Sequence, residues 1–203
     1  MNRPWVKVLG VCLRALERAL AWPAAIPFIV VGRLSILNGR YAETSLIVSK
    51  IPFRFGEFVR YFYYRATLQK IGKDVTFRYG SFCQYNNSQI GNQVLIGYYT
   101  ALGEIQMGNS IVVGGFVNFL SGTAQHSYAD PSKSIRSQAA AGRKTINIGS
   151  DVWIGSNAVI AANVGNRCVV GAGSVLVDEA EDHSVYAGNP ARLIKKIPGS
   201  YSN

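Results

Sequence analysis

Residues 145–177 read TINIGSDVWIGSNAVIAANVGNRCVVGAGSVLV, and the spacing of their aliphatic-glycine pairs decides the fold. Ile148-Gly149 and Ile154-Gly155 are six residues apart, and after one irregular step the beat resumes at Val164-Gly165 and Val170-Gly171. Upstream it runs through Ile90-Gly91, Ile96-Gly97, Leu102-Gly103, Met107-Gly108 and Val113-Gly114. A helix repeats every ~3.6 residues and a strand every ~2, so a period of six belongs to neither. It is the period of a β-helix built from hexapeptides, with two inward positions per face and three faces per coil of about 18 residues. Ten of the 21 glycines follow the aliphatic of a hexad, which marks backbone corners rather than a flexible linker.

Charge separates the chain into two parts. Residues 1–73 hold 12 Lys/Arg and 3 Asp/Glu, whereas residues 74–203 hold 9 and 8. The net charge of +10 therefore sits almost wholly ahead of the repeats. No nucleic-acid-binding motif accompanies it, so a nucleic-acid partner is not expected. A basic segment rich in Trp, Phe and Tyr suits an anionic membrane surface or a lipid-linked anionic substrate. Cys12, Cys83 and Cys168 have no metal-type spacing. Cys83 and Cys168 fall on inward hexad positions and read as small core residues in a reducing compartment. No metal site is expected.

Residues 4–20 have the pattern of an amphipathic helix, with Lys7, Arg14 and Arg18 on one face and Trp5, Val8, Leu9, Cys12, Leu16 and Leu20 over much of the rest. From Ala19 to Gly32 there are 14 uncharged residues, interrupted by Pro23 and Pro27. That run is shorter than the ~20 residues needed to span a bilayer, and its prolines argue against one straight span. Residues 1–35 are therefore expected to form an interfacial anchor, the alternatives being a helix packed against the trimer or its own coil, and a hairpin-like insertion. Residues 50–70 continue with a segment that is helical after Gly56, whose stripe of Phe58, Tyr61, Phe62, Arg65 and Leu68 is expected to plug the first coil.

The coil starts at Ile71-Gly72 and is interrupted between Phe119 and Ile146 by a polar loop that carries His126, one of two histidines. A long loop leaving a regular solenoid is where function is expected. After Leu176, Asp178, Glu179, Glu181 and Asp182 form an acidic turn with His183 in solvent, and VYAGNPARLIKKIPG ends the fold as a short basic element. The chain thus divides into a basic, mostly helical extension (1–70), a β-helix (71–197) with a protruding loop (120–145), and a disordered tail (198–203).

Three motifs in order, INIGSDVWIGSNAVI, VVGAGSVLV and AGNPARLI, resemble those of the hexapeptide-repeat acyltransferases. The likeness is strongest to the maltose, galactoside and surface-polysaccharide O-acetyltransferase branch, together with the streptogramin acetyltransferases, and it covers residues 71–197. The resemblance implies an all-β fold, a left-handed parallel β-helix with an α-helical N-terminal extension, assembled as a homotrimer with active sites between subunits. It also implies acetyl transfer from acetyl-coenzyme A (acetyl-CoA) to a hydroxyl. The family's catalytic histidine lies on the loop corresponding to that of His126, and imidazole, which changes charge near neutral pH, suits a general base. Trp153 and Ser156 match coenzyme A contacts along the prism wall, and Ala172 a small residue beside the pantetheine arm. Arg192 and Lys195 match basic positions near the nucleotide phosphates. Asn118, on the face just before the loop, is a candidate partner of a sugar hydroxyl, and Asp130 is a candidate to orient His126 or bind substrate.

Two departures stand out. Ile160 to Val164 is a step of four and Leu102 to Met107 a step of five. The first lies between Trp153 and Ala172, so it is expected to distort the pantetheine channel. Val177 replaces a hydroxyl residue common in the sugar branch. The resulting expectation is a cytoplasmic, membrane-proximal sugar O-acetyltransferase acting on a surface polysaccharide or its lipid-linked precursor. The alternatives are acetylation of an antibiotic or small metabolite, and an inert β-helix scaffold. Hexapeptide coils also occur in zinc carbonic anhydrases, but those use three histidines and this chain has two.

Overall fold

A computed structural model describes residues 4–122, 126–139 and 142–199. Three helices come first, α1 (Pro4–Leu37), α2 (Tyr41–Ser49) and α3 (Phe53–Thr67). The first coil is β1 (Lys70–Ile71), β2 (Val75–Phe77) and β3 (Phe82–Cys83), and the second is β4 (Gln89–Ile90), β5 (Val94–Ile96) and β6 (Ala101–Leu102). The third is β7 (Ile105–Met107), β8 (Ile111–Val113) and β9 (Asn118–Phe119). Beyond the loop come β10 (Ile146–Ile148), β11 (Val152–Ile154) and β12 (Val159–Ile160), then β13 (Val169–Val170) and β14 (Val175–Leu176). The chain closes with β15 (Ser184–Gly188) and an antiparallel β16 (Ala191–Lys196).

The coil strands stack in parallel as three faces. Face A is β1-β4-β7-β10, face B is β2-β5-β8-β11-β13-β15 with β16 on its edge, and face C is β3-β6-β9-β12-β14. The core is the stack of inward residues: Ile90, Met107, Ile148 and Val164 from face A, Phe77, Ile96, Val113, Ile154 and Val170 from face B, and Cys83, Leu102, Phe119, Ile160 and Leu176 from face C, all buried. The two inward cysteine positions are as the pattern predicted, since Cys83 and Cys168 are both buried.

The coil is not uniformly 18 residues long. Corner side chains accept backbone N–H groups from the coil before: Lys73 donates to Asn92, Asn92 to Asn109, Ser150 to Asn166 and Asn166 to Asp182, over 19, 17, 16 and 16 residues. The change is confined to one corner. Within each coil the A-to-B and B-to-C steps are always six, as in Ile90, Ile96, Leu102 and in Val164, Val170, Leu176. The C-to-A steps run Cys83 to Ile90, Leu102 to Met107, Ile160 to Val164 and Leu176 to Ala180. The shortening after Ile160 is thus repeated one coil later, and face A narrows there to the single bridges Ile148–Val164 and Val164–Ala180. Faces B and C keep their register, with Trp153 opposite Val169 and Val159 opposite Val175. The expected distortion between Trp153 and Ala172 does not occur.

Two corners are rigid because each turns on one left-handed residue. At A-to-B these are Asp74, Gln93, Ser110, Asp151, Arg167 and His183; at B-to-C they are Gly80, Tyr99, Phe116, Asn157 and Gly173. The hexad glycines serve a different need, because they are not the positive-φ positions. A Cβ on Gly91 would stand 2.2 Å from the Gly108 carbonyl oxygen, and one on Gly97 2.2 Å from that of Gly114. They are glycines because successive coils touch there.

At the N-terminus the structure corrects the sequence reading. Pro23 and Pro27 do not break the chain; α1 is continuous through both. They are four apart and exposed, so the lost N–H bonds fall on one face, while Ala21 and Ala25 are buried on the other. Trp22 packs edge-on against Phe62 at 5.3 Å. Helix α3 does plug the first coil, but with a rotated face of Val59, Arg60, Tyr63, Tyr64 and Thr67. Tyr64 lies 4.2 Å from Phe77, and Ser45 of α2 bonds the Tyr64 hydroxyl at 2.8 Å.

Arg60 joins the plug to the coil. Fully buried, it donates to the carbonyls of Phe77 (2.9 Å), Ser49 (3.2 Å) and Ile51 (2.7 Å), so one guanidinium ties β2, α2 and the α2–α3 turn. Burial lowers its pKa from the usual arginine value. Arg60→Met keeps most of the volume but removes the guanidinium from all three carbonyls, of which that of Ser49 retains the Gly80 N–H. It is expected to lower the unfolding free energy by about 2–3 kcal/mol in urea titrations, and an unchanged midpoint would show that the plug is held by apolar packing alone.

Candidate active site

Face C lies between the B–C corner and the C–A corner, and the predicted residues divide between these two edges. At the B–C corner, Tyr79, Tyr98, Gly115, Ser156 and Ala172 occupy equivalent positions in successive coils. The backbone ladder Tyr99 N–H to Tyr79, Phe116 to Tyr98, Asn157 to Gly115 and Gly173 to Ser156 fixes that equivalence. The column changes from aromatic to small along its length. Ser156 and Ala172 are exposed, and the Ser156 hydroxyl oxygen accepts the Gly115 N–H at 3.2 Å.

Trp153 stands on face B next to this corner. Its outward column runs Leu95, Val112, Trp153, Val169, Val185 and Lys195 in direct register. Lys195 is three strand spacings from Trp153, roughly 14 Å at ~4.8 Å each. Trp153 is 58% exposed and lines a groove of about 310 Å³ with Val112, Val169, Arg167 and Ile197. Arg192, opposite Ala187, shares its guanidinium with Asp178 at 3.1 Å. Trp153, Ser156, Ala172 and Lys195 therefore form one continuous wall, to which Arg192 contributes a cation already paired.

The loop leaves from the other edge. Asn118 is exposed on face C, the polar member of an outward column of Ala101, Asn118, Val159 and Val175. Past Phe119 the loop is pinched at its neck, where the Lys144 N–H donates to the Ser121 carbonyl at 2.9 Å. Beside it Thr145 donates to Glu104 at 2.6 Å, and Arg143 lies 3.9 Å from the same carboxylate and 4.4 Å from the Tyr85 ring centre. His126 is exposed. Gln138 staples the segment that follows it: its Oε1 accepts from Ser127 (3.2 Å) and the Asp130 N–H (3.1 Å), and its Nε2 donates to the carbonyls of Asp130 and Lys133. Asp130 is spent on its own turn. It accepts from the Ser132 hydroxyl at 2.6 Å and pairs with Lys133 at 3.0 Å, and these partners hold its carboxyl below the usual range. The geometry gives Asp130 a bracing role in the loop and places no bond from it to His126.

A larger groove of about 560 Å³ runs along face A past Lys70, Gln89, Gln106, Asn147 and Asn163. Much of its lining is a ladder of amides, with Asn163 accepting the Asn147 N–H at 2.9 Å; Lys70 and Glu179 are its ionisable side chains, and no histidine lines it. Among the described residues no cluster of metal-binding side chains occurs. His183, expected in solvent, is half-buried at an A–B corner.

The six-residue repeat also carries the comparison with known proteins. Residues 145–177 match the family model for the hexapeptide repeat of succinyl-transferase. Over 81% of its length the chain superimposes on 89% of a maltose O-acetyltransferase from Clostridium difficile, with a TM-score of 0.66 and 21% identity. A hexapeptide-repeat acetyltransferase from Vibrio cholerae in complex with acetyl-CoA gives a TM-score of 0.57 over 78% of this chain and 86% of that one, at 22% identity. The fold is that of the left-handed hexapeptide-repeat β-helix. In sequence, a stretch of 51 residues, 24% of this chain, is 47% identical to a "Probable macrolide acetyltransferase" of Lysinibacillus sphaericus. That stretch spans 28% of the relative, so the chain aligns with under a third of its length.

Within this hexapeptide coil, three features were not foreseen. Gln138 is one of two amide side chains in the polar loop, and nothing in its spacing marks it. The Glu104–Thr145 bond joins residues 41 apart across the loop. An aromatic stack, Tyr79 edge-on to Tyr99 at 5.6 Å and Tyr99 on Phe116 at 5.2 Å, climbs the B–C corner with Lys50 5.2 Å from the Tyr99 ring centre. Its signal, an aromatic at recurring corner positions, was present in the sequence.

The Thr145 hydrogen bond, foremost among the causes, holds the Glu104 carboxyl below its usual range. Because the folded value is the lower one, this contribution is complete above the ordinary carboxylate pKa (~4.3) and is lost as pH falls through the folded value. Thr145→Val is expected to return the Glu104 titration, followed by carbon-detected NMR, toward the ordinary value. A value that stays put would remove Thr145 as the clasp of the loop neck.

Proposed function

We propose that the protein transfers the acetyl group of acetyl-CoA to a sugar hydroxyl of a surface polysaccharide or its lipid-linked precursor, with His126 as general base. One observation carries this reading. The loop bearing His126 is braced at its neck and by Gln138, and it leaves one edge of face C while the opposite edge and face B offer small residues, an exposed tryptophan and a lysine. The wall fits the donor chemically. Gly115, Ser156 and Ala172 let an extended pantetheine arm lie against backbone, Trp153 supplies apolar cover, and Lys195 supplies a point charge for phosphate.

In this reading His126 takes the acceptor's hydroxyl proton as the oxygen bonds to the thioester carbonyl carbon. The carbon–sulfur bond then breaks, and the leaving sulfur receives the proton from the imidazole. Asn118, between the two edges, is placed to hydrogen-bond the acceptor, and the exposed rings of Tyr98, Tyr99 and Phe116 offer a surface on which a sugar ring can stack. That stack favours a carbohydrate acceptor. The short identity to the macrolide acetyltransferase favours a second reading, a small-molecule acceptor, and an acceptor screen with purified protein separates the two.

The reading also requires a homotrimer. In one chain face C separates the His126 loop from the Ser156–Ala172 corner, and a second subunit would bring the C–A edge of one chain against the B–C edge of another. It places the protein in the cytoplasm, where acetyl-CoA is available and the three free cysteines stay reduced. His126→Ala is expected to lower acetyl transfer by roughly 10²–10⁴-fold while the thermal shift on adding acetyl-CoA persists. An undiminished rate would take His126 out of the mechanism.

A further inference from the structure

Helix α1 has two unlike faces. One is packed on α3 from Glu17 onward: Glu17 lies 3.9 Å from Arg54, Arg18 over the Tyr61 ring, Trp22 against Phe62, and the Arg33 Nε donates to the Ala66 carbonyl. The other exposes Val8, Leu9, Leu13, Leu16, Leu20, Ile26, Val30, Val31, Leu34 and Leu37, each about half or more in solvent. Leu46 and Ile47 of α2 and Phe53, which is 85% exposed, extend the apolar surface beyond α1. Exposed Arg14 and Arg18 stand toward one end of the stripe, Arg33 and Arg40 at the other. So large an apolar stripe on a soluble face is exceptional.

By length and composition Val8–Leu37 could cross a bilayer. Its packing argues otherwise. From Glu17 to Arg33 the helix lies along α3, which carries Arg54, Glu57, Arg60 and Arg65, so a span would draw those charges into hydrocarbon. The portion clear of α3, Pro4–Leu16, is 13 residues or about 20 Å long, short of the ~30 Å of a hydrocarbon core. We propose that α1 and the exposed face of α2 lie in the plane of one leaflet of an anionic membrane, apolar stripe down and arginines at the headgroups, without crossing it. The occupant is set by charge as well as apolarity: the first 73 residues carry nearly all of the chain's net positive charge. This docking does not depend on the acyl-transfer reading. It gives that reading a reason to prefer a lipid-linked acceptor.

The test uses the full chain and preformed vesicles, without acetyl-CoA. Binding is expected to phosphatidylglycerol–phosphatidylcholine vesicles and to fall at least tenfold on pure phosphatidylcholine or at high salt. Leu16→Glu combined with Leu20→Glu and Val30→Glu is expected to stay in the supernatant with an unchanged circular dichroism spectrum and oligomeric state. Cys12 is the one exposed cysteine, so an environment-sensitive label there reports depth in the otherwise native chain. Stronger quenching by a headgroup-proximal lipid quencher supports the in-plane arrangement, whereas stronger quenching from the bilayer centre overturns it. Absence of binding to anionic vesicles overturns the proposal. So does loss of the oligomer in the triple variant with lipid binding retained, which would assign the stripe to contacts between copies.

Discussion

Two of the three corners of this coil are fixed, and the rest of the structure follows from that constraint. Each A–B and B–C corner turns on one left-handed residue, and at most of them a hexad glycine two residues earlier is pressed against the next coil. Neither corner can gain or lose a residue without flipping inward side chains to the outside. Every change of length is therefore pushed to the C–A corner, which absorbs the extra residue after Cys83, the deletions after Leu102, Ile160 and Leu176, and the whole His126 loop. The solenoid is regular on faces B and C and irregular at the corner from which the His126 loop leaves.

The helical cap answers a different problem. A β-helix presents open strand edges at its end, and β1, β2 and β3 would leave carbonyls and aromatic surface unpaired. Arg60 meets the Phe77 carbonyl of β2, and Tyr64 covers the apolar end of the prism through the Phe77 ring. Having spent one face on the coil, α3 offers another to α1, whose own outer face remains apolar. The positive charge of the extension thus sits beside an uncovered hydrophobic surface and away from the nearly neutral repeats.

Much of this was legible in the sequence, and the failures have causes. The six-residue beat located the inward residues because a solenoid core depends on local spacing alone. The same beat marked the loop by its absence. Pro23 and Pro27 misled because proline preference is a local rule, and packing of Ala21 and Ala25 on α3 overrode it. The shortened step after Ile160 looked like damage to the cofactor wall only while the corners were assumed equivalent. Asp130 was expected to orient His126 or to bind substrate; that its oxygens also hold Ser132 and Lys133 is a loop-internal pairing that spacing does not record. Gln138 and the Glu104–Thr145 clasp depend on how a loop folds back on itself, which no periodicity records.

The central claim is that an acetyl-transfer site forms where the His126 edge of one chain meets the Ser156–Ala172 edge of another. It can be tested by co-expressing two inactive variants, His126→Ala and Ala172→Trp, and purifying the mixed assemblies. A site built from two chains predicts recovered acetyl transfer, because some interfaces pair an intact loop with an intact wall. A mixture no more active than the two variants separately would contradict the shared site and return both edges to a single chain.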